Sequence, residues 1–245
     1  MRNPAWKNFC NDEGRGVNWN DILLTASIWV IPILIAVTLH EAAHGWAAWR
    51  LGDDTAYMAG RVTFNPLRHI DLFGTLLLPM LLLFLSGGRM MFGFAKPVPV
   101  NFGKLGHPRR DMMLVAVAGP ATNLLLAVIS AALFHILPYL SGDIKVWTAY
   151  NLNNLMWINM LLCVFNMLPM PPLDGGRIAV GLLPPALGMR LARLERAGIG
   201  IILGAVFLLP WIGGKLGVDL NVFWWVIGAP AEYLSNAVLS LVNVR

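Results

Sequence analysis

The spacing of charges constrains this chain more than anything else in it. Five or so stretches of about 16 to 25 residues hold almost no Asp, Glu, Lys or Arg, and each approaches the roughly 20 apolar residues that cross a bilayer core of about 30 Å. Across the 245 residues, 57% are hydrophobic and 13% charged, where soluble domains carry about 25% charged residues. A water-soluble globule is therefore excluded. The reading is an all-α polytopic membrane protein, a helix bundle of about five to six spans. Spans and short connections use nearly all of 1–245, so a single domain is expected. The net charge of +5 does not point to nucleic acid, because the basic residues are scattered between apolar segments as membrane flanks are. Cys10 and Cys163 form neither a spaced metal pair nor a disulfide framework.

The first helix is predicted from Asp21, a suitable cap, to Gly52, a suitable stop, bent at Pro32. Asp71 caps a shorter apolar stretch, Leu72 to Leu85. Further helices are expected from Asp111 to about Leu137, from near Thr148 to a break at Pro169, and over about Ala197–Ile212 and Val222–Val242. Between them Phe92–Asn101, with Pro97 and Pro99, reads as an edge strand. The two prolines remove donors from one edge and leave the N–H groups of Lys96, Val98 and Val100 on the other. Eleven basic residues, from Arg50 through Arg190, Arg193 and Arg196 to Arg245, would then face one side against Arg2, Lys7, Arg15, Lys145 and Lys215 on the other. The richer side is cytoplasmic by the positive-inside rule. The loops before Asp71 and after Lys104 both fall there, so Leu72–Gly103 should enter the membrane and return, as a helix leading into a re-entrant, membrane-embedded β-strand that lines something wet. The expected location is the inner membrane of a prokaryotic cell.

Three ionisable residues interrupt the first span near its cytoplasmic end: His40, Glu41 and His44, in H-E-A-A-H. On a helix the two imidazoles fall on one face at i and i+4 with a carboxylate beside them. Each ionisable group costs about 2.5 to 3.5 kcal/mol in a bilayer on insertion scales, and a zinc ion would compensate that cost. Catalytic zinc commonly has three protein ligands, so a third must come from elsewhere. The extended metzincin pattern fails, because Ala47 and Arg50 stand where it needs Gly and His. Glu195 sits among arginines and Glu232 on the last helix. Asp174 is the better candidate: it follows a helix broken by Pro169, Pro171 and Pro172 and precedes Gly175 and Gly176, which let the backbone approach closely.

H-E-A-A-H at 40–44 together with N-M-L-P-M-P-P-L-D-G at 166–175 resembles the site-2 protease family of intramembrane zinc metalloproteases. The likeness extends through A-G-P-A-T-N at 118–123 and covers about 20–185, leaving 190–245 as additional helices. It implies one zinc ion held by His40, His44 and Asp174, a water activated by Glu41, and a transmembrane protein or peptide substrate met within the lipid. Residues 86–101 are similar to the family's substrate-receiving strand, which would add the substrate along Lys96, Val98 and Val100. The PDZ and CBS domains of some members are absent from this sequence, so a minimal member is expected. Asn123 is read two ways, as a catalytic donor to the developing oxyanion or as an interhelical hydrogen bond. Two other functions stand beside protease of this kind: a catalytically inactive membrane adaptor of the same fold, and a Ste24-type membrane zinc protease with a glutamate ligand, for which Glu195 would serve.

Overall fold

The first charge-free run forms one helix, α1 (Trp19–Arg50), in a computed structural model that describes residues 19–71, 74, 77, 80, 81, 84 and 96–243. Pro32 lies inside α1 and is buried, a placement that membrane helices tolerate because neighbours re-satisfy the freed backbone. The helix gives out at Gly52, whose φ of +106° only glycine adopts cheaply.

The second long helix, α2 (Pro108–Leu133), runs on as a tighter turn over Phe134–Tyr139. It starts three residues before Asp111, and Asp111 still caps it, from within: the His107 N–H donates to its carboxylate at 2.7 Å. Next come α3 (Gly142–Asn166), a proline-rich turn, α4 (Asp174–Leu182) and α5 (Pro185–Ala192). A long helical run over 195–216 follows, with α6 (Glu195–Leu203) and α7 (Leu209–Leu216) joined through a widened π turn. The chain closes with helical residues 222–241, ending in α8 (Ala229–Leu241).

Helices α1, α2 and α3 pack on one another, and α4 packs on α2. Small side chains let backbones approach: Ala127 and Ala131 of α2 meet Met156 and Met160 of α3 and Ala231 and Val238 of α8. The polarity is inverted relative to a soluble protein. Asn123, Ser130, Asn159 and Ser235 are buried while Leu23, Val30, Leu125, Ile129 and Trp211 are exposed, as expected where lipid is the solvent. Among the described residues, three helical stretches are long and apolar enough to cross a membrane: Leu23–Arg50, Pro108–Tyr139 and Glu195–Leu216. α3 is held to α1 through polar contacts, with Asn154 Nδ2 donating to the Ile28 carbonyl at 2.7 Å and Trp147 Nε1 to Ser27 Oγ at 2.9 Å.

The segment expected to enter the membrane and return is described in part. Asp71 caps it as expected, its Oδ1 accepting from the Gly74 N–H at 2.7 Å, and the described residues of 74–84 are helical. The strand expected over Phe92–Asn101 lies outside the described residues up to 95; from Lys96 onward it belongs to no sheet, and no described residue is in a strand. Nor is the edge of Lys96 and Val98 open. The Lys96 N–H donates to the His69 carbonyl at 3.0 Å and the Val98 N–H to Glu41 at 2.8 Å. Backbone donors away from water must be satisfied, and here acceptors within the chain reach them first. Val100 packs instead against the α1–α2 contact at Ala47, Ala48 and Val115. An exposed ion pair, Lys104 Nζ to Asp54 at 2.7 Å, ties the end of this segment to the loop after α1 and holds the Asp54 carboxyl below its usual range.

Candidate metal centre

Helical periodicity places His40 and His44 one turn apart on the face of α1 that meets α2, and both are buried. Space for them exists because α2 presents Gly119: a Cβ there would stand 2.4 Å from His44 Nε2 and 2.5 Å from His40 Cε1. Each imidazole is oriented through Nδ1. His44 Nδ1 lies 2.7 Å from the Val115 carbonyl, which can only accept, and His40 Nδ1 lies 2.6 Å from Asn123 Oδ1. With the proton on Nδ1 in both rings, both Nε2 lone pairs face inward.

Asp174 comes to the same point from α4. It occupies the first turn of that helix, where a carboxylate is favoured by the helix dipole. The chain turns tightly to put it there: a Cβ on Gly175 would stand 2.2 Å from the Met167 carbonyl oxygen, and one on Gly176 would stand 2.2 Å from Pro171 N. The far end of α4 is pinned by Arg109 of α2, whose Nε donates to the Gly181 carbonyl at 2.7 Å and whose Nη2 donates to that of Leu183.

His40 Nε2 and His44 Nε2 are 3.0 Å apart, and Asp174 Oδ2 is 3.4 Å from the first and 3.3 Å from the second. Asp174 Oδ2 is buried without a hydrogen-bond partner. Three lone pairs therefore converge with no proton among them, an arrangement that repels unless a cation stands at its centre. Bonds of about 2.0 to 2.2 Å around a tetrahedral zinc set ligand atoms about 3.3 to 3.6 Å apart. The two aspartate distances fall in that range and the histidine pair lies just under it. Among the described residues this is the one group of three His, Cys, Asp or Glu side chains close enough to hold a metal.

The pattern of peptidase family M50 matches residues 28–145 and 140–211. "Putative zinc metalloprotease YwhC" of Bacillus subtilis is 38% identical over 185 residues, covering 74% of this chain and 80% of the relative. "Putative zinc metalloprotease Rip2" of Mycobacterium tuberculosis is 32% identical over 207 residues, covering 83% of this chain and 75% of the relative. The chain belongs to peptidase family M50, the site-2 protease family. Its cofactor is zinc, and the His40–His44–Asp174 group fits it. No solved structure matches the chain.

Within this M50 framework, the geometry separates the residues the sequence left ambiguous. Glu195 is exposed at the start of α6 and takes no part in the group. Glu41 is half-buried and outside it as well, with Oε2 on the Val98 N–H. Asn123 is fully buried and its donors are spent: Nδ2 donates to Asn159 Oδ1 at 2.7 Å and to the Ala36 carbonyl at 3.4 Å, while Oδ1 takes the His40 ring. That arrangement orients a ligand and leaves no N–H for an oxyanion. Asn159, which sequence reading passed over, completes the chain by donating to the Leu155 carbonyl at 2.7 Å. A polar side chain in the middle of a membrane helix was the available signal, since such groups turn inward. A second contact was missed on α6: a Cβ on Gly198 would stand 1.8 Å from the Pro171 carbonyl oxygen. Helix α6 thus packs against the turn that leads to Asp174.

Asn123→Ala is expected to weaken zinc binding about 10- to 100-fold, the usual cost of losing a partner that orients a ligand, measured by competition with a chromophoric chelator. Unchanged zinc affinity with lost cleavage would return Asn123 to the oxyanion role.

Proposed function

We propose that this M50 protein is an intramembrane endopeptidase that hydrolyses peptide bonds in or near the transmembrane segments of membrane proteins. The observation that carries the reading is the depth of the buried ligand group. His40 lies 17 residues into the apolar run that starts at Leu23, about 25 Å along a helix, and His44 is six residues, about 9 Å, from its end at Arg50. A scissile bond must therefore come into the bundle. The catalytic core comprises about 20–185. Counting α3 and the 222–241 run with the three apolar helices gives five spans. The distribution of basic residues supports a site facing the cytoplasm of a prokaryotic inner membrane.

Zinc, when bound, polarises the scissile carbonyl and brings the pKa of a water to about 7. Glu41 stands beside the two histidines as the base that takes the water's proton and delivers it to the leaving amine. His40 and His44 are held as neutral ligands by Asn123 and Val115, and Asp174 supplies the negative charge.

A cavity of about 550 Å³ runs along the neighbouring face of α1, lined by Leu39, Ala42, Ala43, Trp46, Val62, Thr63, Phe64 and Thr122. A second, of about 300 Å³, shares Leu39 and Phe64 and extends it past Leu34, Ile35 and Thr38. These mainly apolar walls suit an apolar substrate segment. Ala43→Phe, which fills the first cavity, is expected to raise KM about tenfold or more, some 1.4 kcal/mol, with zinc content unchanged. An unaltered KM would remove the cavity from the substrate path.

The reading is tested by incubating the purified protein in detergent or liposomes with single-pass membrane peptides. Cleavage inside the apolar segment, abolished by a zinc chelator and restored by zinc, is the expected result. Binding without cleavage would mean an adaptor, and cleavage confined to soluble peptides would remove the intramembrane assignment.

A further inference from the structure

Residues 96–101 are tied to the rest of the protein through three backbone N–H groups: Lys96 to the His69 carbonyl at 3.0 Å, Val98 to Glu41 Oε2 at 2.8 Å, and Asn101 to Asp53 Oδ2 at 2.6 Å. Asp53 is fully buried, and its other oxygen accepts from the Thr55 N–H at 3.0 Å, so the segment's far end has a fixed anchor just past α1. Pro97 and Pro99 flank Val98 and have no N–H, and the residue before a proline is confined to extended backbone. The Val98 donor is therefore stiffly presented. Its side chain fixes the register. Gly45 stands one helical turn after Glu41 on the same face of α1, and a Cβ there would be 3.2 Å from Val98 Cγ1. Val98 fills the notch that Gly45 leaves, and in doing so aims its own N–H at the carboxylate one turn back.

We infer that the Val98 backbone N–H is the positioning group for Glu41: it fixes one carboxylate oxygen and leaves the other to handle the proton. The inference rests on the proposed reading of Glu41 as the proton-transferring base. A glutamate side chain has several rotamers, and a base displaced by about 1 Å from productive geometry loses about 10²-fold in rate. A backbone amide suits the task because it donates without titrating and cannot take the proton that the carboxylate is meant to receive. On this view the segment's contact with α1 is part of the catalytic geometry, and Lys96 and Val98 are not a free edge awaiting the substrate.

The test replaces one hydrogen-bond donor by an oxygen that cannot donate. In the full-length chain, Val98 is replaced by its α-hydroxy analogue, so that an ester oxygen stands where the N–H was; Val98→Pro serves as a genetic counterpart, and the chain assembled in the same way with its native amide at Val98 is the control. Single-pass peptide cleavage, zinc content and thermal stability are measured for each. The expected result is a fall in kcat of about 30- to 100-fold for the ester and proline variants relative to the native-amide chain, with KM and zinc content held to about twofold. Normal kcat in the ester variant overturns the inference, as does a raised KM with normal kcat, which would make the segment a substrate edge. Wild type and Glu41→Gln run in parallel separate the two levels. No cleavage by wild type, or cleavage by Glu41→Gln, overturns the reading of Glu41 and the inference with it. Wild-type cleavage, an inactive Glu41→Gln and a fully active ester variant overturn the inference alone.

Discussion

Glu41→Gln should leave one zinc per chain in place and lower peptide cleavage by about 10³-fold or more, the upper part of the range for loss of a positioned proton-transfer group. The side chain lies outside the converging group of His40, His44 and Asp174, so metal content does not depend on it. Glutamine also keeps an oxygen that can accept from the Val98 N–H, now 2.8 Å from Glu41 Oε2, so the local geometry survives and only proton transfer is lost. Metal analysis beside a cleavage assay reads both quantities. Retained activity at equal zinc content would remove the base from Glu41, and lost zinc would make it a ligand.

Asp174→Ala should abolish zinc binding and cleavage together. The aspartate supplies the negative charge of the group, and without it two neutral imidazoles remain in a buried site where a dication has nothing to offset its desolvation. Glu195→Ala, at an exposed position on α6, should change neither zinc nor activity. The reverse pair of results would assign the third ligand to glutamate, as in a Ste24-type site. Thermal melts with and without added zinc provide a second readout, since a ligand that binds only the folded chain raises its apparent stability.

The helices and half of the site were legible in the sequence because the physics that specifies them is local. Charge-free runs long enough to cross a bilayer announce α1, α2 and the 195–216 run. H-E-A-A-H needs only the 3.6-residue period to bring His40 and His44 to one face, and Asp174 between a proline break and two glycines marks a turn that approaches another backbone. Boundaries were read less well. α2 begins at Pro108 because the Asp111 side chain reaches back to cap it, a contact that propensity does not encode.

What only the tertiary structure decided are the partners of groups far apart in the chain. That Asp174 and not Glu195 meets His40 and His44 depends on α4 packing against α2, where Arg109 pins its end, and on Gly119 leaving room for two rings. Whether Asn123 donates or accepts turns on Asn159 and Ala36 having already taken its N–H groups. The sequence shows that Lys96 and Val98 can donate, but not to what. Strand geometry says which edge a donor faces, whereas a buried donor is claimed by the nearest acceptor in three dimensions. For Val98 that acceptor is the Glu41 carboxylate, 57 residues away, brought within reach because Gly45 has no side chain to hold the segment off α1.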